Sequence, residues 1–202
     1  MQNVLTPGPH LFTSPSKGLT FEYIIYREAG KPPNPSDLLV IHPPAWGLGS
    51  EYLQAGLRDL ATKGRLLLFF HPRGTNNSSF PTDPGRMSSM PDLASDLEDL
   101  RLYLRLDAFP ALLGHSNGGA IVLGYAEMYP SRVRKLVLLN HSLIGCTDRR
   151  VRDESVQKDE RYREAFRVFE ESEPKTDEEF TNMVRGLWPL YFFNTCFVEQ
   201  LV

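Results

Sequence analysis

The sequence predicts an α/β architecture, a mostly parallel sheet flanked by helices, on three observations. Leu38-Leu39-Val40-Ile41 and Leu66-Leu67-Leu68-Phe69-Phe70 are continuous apolar runs, the composition of strands buried on both faces. Helical apolar spacing follows each of them. Strand-like and helix-like segments then alternate three times between positions 38 and 139, the pattern of βαβ units around a parallel sheet.

Residues 1–18 are rich in Pro, Gly and Ser and read as a loose lead-in. Leu19 to Arg27 is aromatic and β-branched with partial alternation, which predicts a strand. Three prolines between Lys31 and Ser36 enforce a loop before the run at 38–41. Positions 42–49 form another loop. Ser50 to Lys63 carries apolar residues at Tyr52, Leu53, Leu57, Leu60 and Ala61, which predicts a helix stopped at Gly64. After the run at 66–70, His71 to Gly85 holds turn residues throughout. The next helix has Ser88 or Ser89 near its cap, Pro91 in its first turn, and a stripe of Met90, Leu93, Leu97, Leu100 and Leu104. Phe109 to Leu113 reads as a buried strand, Ala120 to Tyr129 as a helix ended by Pro130, and Val133 to Leu139 as a further strand.

Composition changes near position 146, so a core of 1–146 and a helical segment of 147–202 are expected. Thr147 to Glu173 is dominated by Arg, Asp and Glu, with apolar positions at Tyr162, Ala165, Phe166 and Phe169, a solvated amphipathic helix. Thr176-Asp177-Glu178-Glu179 matches a capping box, which starts a helix at 177 running to about 187. Trp188 to Phe193 is an aromatic cluster suited to packing or to lining a substrate pocket.

The totals exclude several classes. The 202 residues suffice for one core. A net charge of -3 leaves no bulk electrostatic footprint for nucleic acid or membrane. Cys146 and Cys196 make no disulfide framework. The first 20 residues show no apolar signal core, and no run approaches the ~18 apolar residues of a membrane span. A cytoplasmic location is the expectation. No histidine pair has metal-ligand spacing, so neither a metal site nor a cofactor is expected.

The stretch Gly114-His115-Ser116-Asn117-Gly118-Gly119 carries the chemistry. It has the form G-x-S-x-G between a strand and a helix, the setting of a nucleophile elbow. Such a turn holds the serine in a strained conformation and needs small residues, here Gly114 and Gly118, where strand and helix approach. Ser116 Oγ would stand at the carboxyl edge of the sheet, and the N–H of Asn117 would face a developing oxyanion. The competing reading is a glycine-rich turn with a surface serine.

With these residues in view the chain resembles the α/β-hydrolase superfamily, and within it the proline iminopeptidase-like branch. The resemblance rests on Ile41-His42-Pro43-Pro44-Ala45-Trp46-Gly47, His71-Pro72-Arg73-Gly74-Thr75, the segment 114–119, Tyr129-Pro130-Ser131-Arg132-Val133, and Trp188-Pro189-Leu190-Tyr191-Phe192. It implies an α/β-hydrolase fold with a helical lid, Ser116 as catalytic nucleophile, and an oxyanion hole made by the N–H of Asn117 and one from the loop after His42. The family's His-Gly-Gly-Pro-Gly loop is replaced here by prolines at 43 and 44, which have no N–H, so the donor falls to Ala45 or Trp46. Asn76 stands at a family glycine and accepts a left-handed backbone.

The family places its catalytic acid and histidine after the seventh and eighth strands, and no histidine follows His141. The expectation is therefore a chain truncated at its C-terminus, with those strands missing. His42 belongs to the oxyanion loop, His71 ends the fourth strand, His115 faces away from Ser116, and His10 lies in the lead-in. His141, at the end of the sixth strand, is the best substitute base, or simply a polar strand end. Three readings follow: an incomplete serine hydrolase, an inactive hydrolase-fold protein that binds a ligand or partner, or an enzyme with improvised residues. The expected substrate is a small molecule or peptide, as amide, ester or thioester. The exposed edge of the sixth strand makes a homodimer conceivable.

Overall fold

The computed structural model describes residues 2–30, 32–45, 47–141, 154 and 156–200. The chain divides into two units, Met1–Ile144 and Gly145–Val202.

In the first unit six strands form one sheet: β1 (Gly8–Thr13), β2 (Thr20–Tyr26), β3 (Leu38–His42), β4 (Leu66–Phe70), β5 (Ala111–His115) and β6 (Leu136–Leu139). Their order is β1-β2-β4-β3-β5-β6. β1 pairs antiparallel with β2 and β2 antiparallel with β4, while β4, β3, β5 and β6 are parallel. Four helices connect the parallel strands: α1 (Glu51–Leu57), α2 (Asp59–Thr62), α3 (Met90–Tyr103) and α4 (Asn117–Met128).

Alternation along the strands sorts the core into two layers. Val40, Leu68, Phe70 and Leu112 pack with Leu93, Leu97 and Leu100 of α3 and Ile121, Val122 and Tyr125 of α4. Leu39, Ile41, Leu67, Phe69 and Leu113 pack with Leu53 and Ala61 of α1 and α2 on the other face. The sheet is thus covered on both faces, which is why β3 and β4 are buried at every position.

Four sequence expectations change. The lead-in contains β1, an edge strand with only Phe12 buried along its length. An edge tolerates Pro9, whose missing N–H a central ladder would not. The helix expected over 50–63 breaks at Arg58 into α1 and α2, and Tyr52 is exposed. The strand expected over 109–113 starts two residues later: Pro110 cannot donate, so Phe109 makes an isolated bridge to Val133 and the ladder resumes at Ala111. For the same reason regular β6 begins only at Leu136. The stripe of α3 is as spaced, with Leu93, Leu97, Leu100 and Leu104 buried, and Gly64 ends α2 at φ 82°.

In the second unit α5 (Arg163–Glu171) packs against α6 (Asp177–Leu187). Tyr162 and Ala165 are buried there, but Phe169 is exposed. Val168 takes the inward place instead, against Gly186, where any side chain would meet its Cγ1 at 2.9 Å. Thr176 caps α6, its hydroxyl accepting from the N–H of Glu179 at 3.2 Å. The Glu179 carboxylate accepts from the N–H of Lys175 at 2.7 Å, one residue earlier than a reciprocal box requires. Positions 147–153 and 155 of the expected amphipathic helix lie outside the described residues. In the aromatic cluster, Tyr191 and Phe193 are exposed, and the Arg161 guanidinium sits 4.9 Å from the Phe193 ring centre.

Candidate functional site

Reversal of strand order between β3 and β5 creates a topological switch point, the place where open α/β sheets bind ligands beyond the carboxyl ends of their strands. The register makes these ends flush. His42 at the end of β3 lies opposite Gly114 of β5, and His115 lies opposite Leu139 of β6. The loop after His42 and the residue after His115 therefore meet at one edge.

Ser116 occupies that edge between β5 and α4 with φ 54° and ψ −125°. For a residue with a Cβ this conformation is strained and persists only where surrounding contacts enforce it. Its N–H donates to Leu139 O at 3.1 Å and its carbonyl accepts from the N–H of Gly119 at 3.0 Å. Glycines permit the crossing. A Cβ on Gly114 would come within 2.3 Å of Gly118 O, and one on Gly118 within 2.3 Å of Pro43 O. Gly119 is pressed by His141, whose Cβ would be 2.2 Å from an added Cβ. Strand, helix and the loop after β3 are in backbone contact, and no larger residue fits among them.

The loop after β3 is tied to α4. Asn117 Nδ2 donates to Pro44 O at 3.0 Å. The Asn117 N–H belongs to the first turn of α4, where no intrahelical acceptor exists. Ala45 stands at φ 58°, outside ordinary strand or helix geometry. Trp46 lies outside the described residues, so of the three candidate N–H donors the structure places Asn117 and Ala45. Asn76 is at φ 49°, the left-handed backbone its position requires.

The histidines have separate environments. His42 is fully buried, its Nδ1 2.6 Å from Pro43 O, and its Nε2 has no partner among the described residues. Burial pushes its pKa down to about 4, the bond to Pro43 opposing. His115 Nδ1 is 2.6 Å from Tyr52 Oη, and partial burial lowers its pKa. His71 is buried with Nδ1 2.7 Å from Glu22 Oε2 and Nε2 2.7 Å from Ser50 Oγ. Among the described residues no side chain is hydrogen-bonded to Ser116 Oγ, and no group of His, Cys, Asp and Glu could hold a metal.

Sequence reasoning missed the Glu22–His71–Ser50 cluster. Its one signal was a glutamate at an inward position of the apolar strand 19–27. It also missed that Arg73 is buried and bidentate on Asp96, at 2.8 and 2.5 Å, which pins the loop after β4 to α3. A cavity of about 60 Å³ lined by Arg27, Pro32, Arg65 and Leu66 lies at the amino ends of β3 and β4, away from Ser116.

Comparison with known proteins agrees with this fold. A family model for the alpha/beta hydrolase fold matches residues 38–178. The chain is 32% identical over 121 residues to a proline iminopeptidase of Saccharolobus solfataricus, covering 60% of this chain and 37% of that one. It is 33% identical over 118 residues to a proline iminopeptidase of Lacticaseibacillus rhamnosus, covering 58% and 39%. The chain thus spans well under half the length of these relatives. A hydrolase from Pseudomonas aeruginosa superposes over 93% of this chain and 68% of its own, with TM-score 0.56 at 24% identity; that likeness concerns the fold. With the sheet order, the Ser116 turn and the family match together, the chain belongs to the α/β-hydrolase fold family.

Proposed function

We propose that the chain carries the nucleophile of a serine hydrolase of proline iminopeptidase-like type, acting on a peptide, amide or ester. In this reading Ser116 Oγ attacks the substrate carbonyl carbon. The N–H groups of Asn117 and of Ala45 or Trp46 hold the oxyanion, the leaving amine or alcohol departs with a proton, and water releases the acyl group. The observation that supports it best is the left-handed backbone of Ser116 at a strand-to-helix turn built from backbone contacts. His141 is the candidate base among the described residues, since it follows β6 and packs on Gly119. Residues 147–202 serve as a helical lid in this reading. A reducing, cytoplasmic setting goes with it, as Cys196 is a free, exposed thiol.

The test is the intact mass of the purified chain after treatment with a fluorophosphonate. A single adduct, absent in Ser116→Ala, is the expected result. Release of proline from a proline naphthylamide would then assign peptidase chemistry, and turnover of p-nitrophenyl esters alone an esterase. A folded chain that takes no adduct would sink the reading. One observation favours a second reading, an inactive module that binds a ligand or partner: no described side chain bonds to Ser116 Oγ. The missing adduct is the result that this alternative requires.

A further inference from the structure

Away from Ser116 the described residues contain a complete serine–histidine–acid arrangement, and it is buried. Glu22 sits on β2, His71 directly follows β4, and Ser50 directly precedes α1. Ser50 Oγ is 2.7 Å from His71 Nε2, and His71 Nδ1 is 2.7 Å from Glu22 Oε2. All three are buried.

The surrounding bonds fix the direction of the protons. A carboxylate only accepts, so His71 Nδ1–H donates to Glu22. With a single ring proton, on Nδ1, Nε2 is the acceptor and the Ser50 hydroxyl donates to it. The remaining capacity of Ser50 Oγ is used by Gln54 Nε2–H at 2.7 Å, and Gln54 Oε1 accepts from Tyr26 Oη–H at 3.0 Å. Asn77 Nδ2 donates to the second Glu22 oxygen at 2.8 Å. The result is a one-directional chain from Tyr26 to Glu22 in which every member is satisfied, the condition under which a buried polar network rigidifies its surroundings. The arrangement matches a hydrolytic triad in order. Its serine, however, is enclosed beneath the first turn of α1 and already accepts a bond from Gln54, so Oγ is not presented to a substrate.

What the chain of bonds does hold is a loop end. Ser50 closes the segment 43–49 that carries Ala45 and Trp46. Pro43 and Pro44 have no N–H, so the start of this segment cannot be fastened by its own backbone donors. It is held through its carbonyls, Pro43 O by His42 Nδ1–H and Pro44 O by Asn117 Nδ2–H. The far end is held through Ser50. We propose that Glu22, His71 and Ser50 form a positioning relay that sets loop 43–49 against the start of α4. The proposal rests on the reading of that loop as the donor of the second oxyanion N–H.

The test combines two measurements on the full chain. Fluorophosphonate labelling of Ser116 is timed in wild type, Ser50→Ala, Ser50→Thr and Glu22→Gln. The expected result is a loss of about 10²-fold in labelling rate for Ser50→Ala and Glu22→Gln, the scale of losing one oxyanion donor, with Ser50→Thr restoring most of it through its hydroxyl. Proton NMR supplies the signature that mere packing would not move. A far-downfield imidazole N–H resonance, present in wild type and in Ser116→Ala, disappears in Glu22→Gln. Wild-type labelling rates in folded Ser50→Ala and Glu22→Gln would overturn the relay, and so would an adduct that maps to Ser50. If the wild type takes no adduct, the nucleophile reading fails separately, and amide exchange decides the relay. Faster exchange confined to 45–50 in Ser50→Ala upholds it, and unchanged exchange there overturns it.

Discussion

Single atoms decide the geometry around Ser116. Gly118 is the sharpest case, because a methyl group there would lie 2.3 Å from Pro43 O and 2.6 Å from His42 O, both backbone atoms. Neither can turn aside as a side chain would. Gly118→Ala should therefore displace the loop, cost about 1–3 kcal/mol in denaturant unfolding, and slow fluorophosphonate labelling as well. His42 is the group expected to contribute to acid sensitivity. Its pKa falls from the ordinary 6.5 to about 4 in the folded chain. Below pH 6.5 the unfolded state takes up a proton that the folded state refuses, so stability is lost progressively between pH 6.5 and 4. The shift corresponds to roughly 3 kcal/mol, at about 1.4 kcal/mol per pH unit. His42→Gln should flatten the melting temperature against pH across that window; an unchanged slope would show that other groups carry it. The strand-to-helix turn at Ser116 was legible at this scale from five letters and their flanks. The buried triad-like cluster was not, because its members stand far apart in sequence and no local periodicity links them.

At the scale of elements, the stripe of α3 and the cap of α6 could be read from spacing alone. Both depend on residues within a turn of each other, where 3.6-residue periodicity is decisive. Thr176→Ala removes the hydroxyl that accepts from the Glu179 N–H and should cost about 1 kcal/mol, seen as faster amide exchange over the first turn of α6 with α3 unaffected. The strands were less legible. β1 escaped notice because an edge strand buries little and tolerates Gly8 and Pro9. β5 and β6 were read two or three residues early, since hydropathy does not register that Pro110 interrupts the ladder. Phe169 was assigned inward by its apolarity, yet the helix pairing selects Val168 because Gly186 leaves room only there.

At the scale of the whole molecule, the alternation of apolar runs and helices was enough to place every parallel strand, and aromatic, β-branched composition placed β2, but the antiparallel edge strand β1 was not legible. β6 borders the sheet: Val137 and Leu138 are 42% and 36% exposed, and among the described residues no strand pairs with its outer side. If this edge pairs with a second copy of the 202-residue chain, Leu138→Lys reduces the light-scattering mass at micromolar concentration; a wild type that stays monomeric there would exclude such pairing. The flush register of β3 and β5 has a further consequence, in the order of assembly. Leu39 pairs with Leu67 across a loop of roughly 30 residues and with Ala111 across roughly 70. The second closure costs about 0.6 kcal/mol more in chain entropy per doubling of length. Of all the strand pairings in the sheet it spans the longest stretch of chain, and it is the one that brings Ser116 to the loop after His42. The proposed nucleophile and its oxyanion donors are therefore not formed locally and then packed. They come into being only when the most distant closure in the fold is made, so any state that has lost β5 from the sheet has lost the site while β2, β3 and β4 can still hold together.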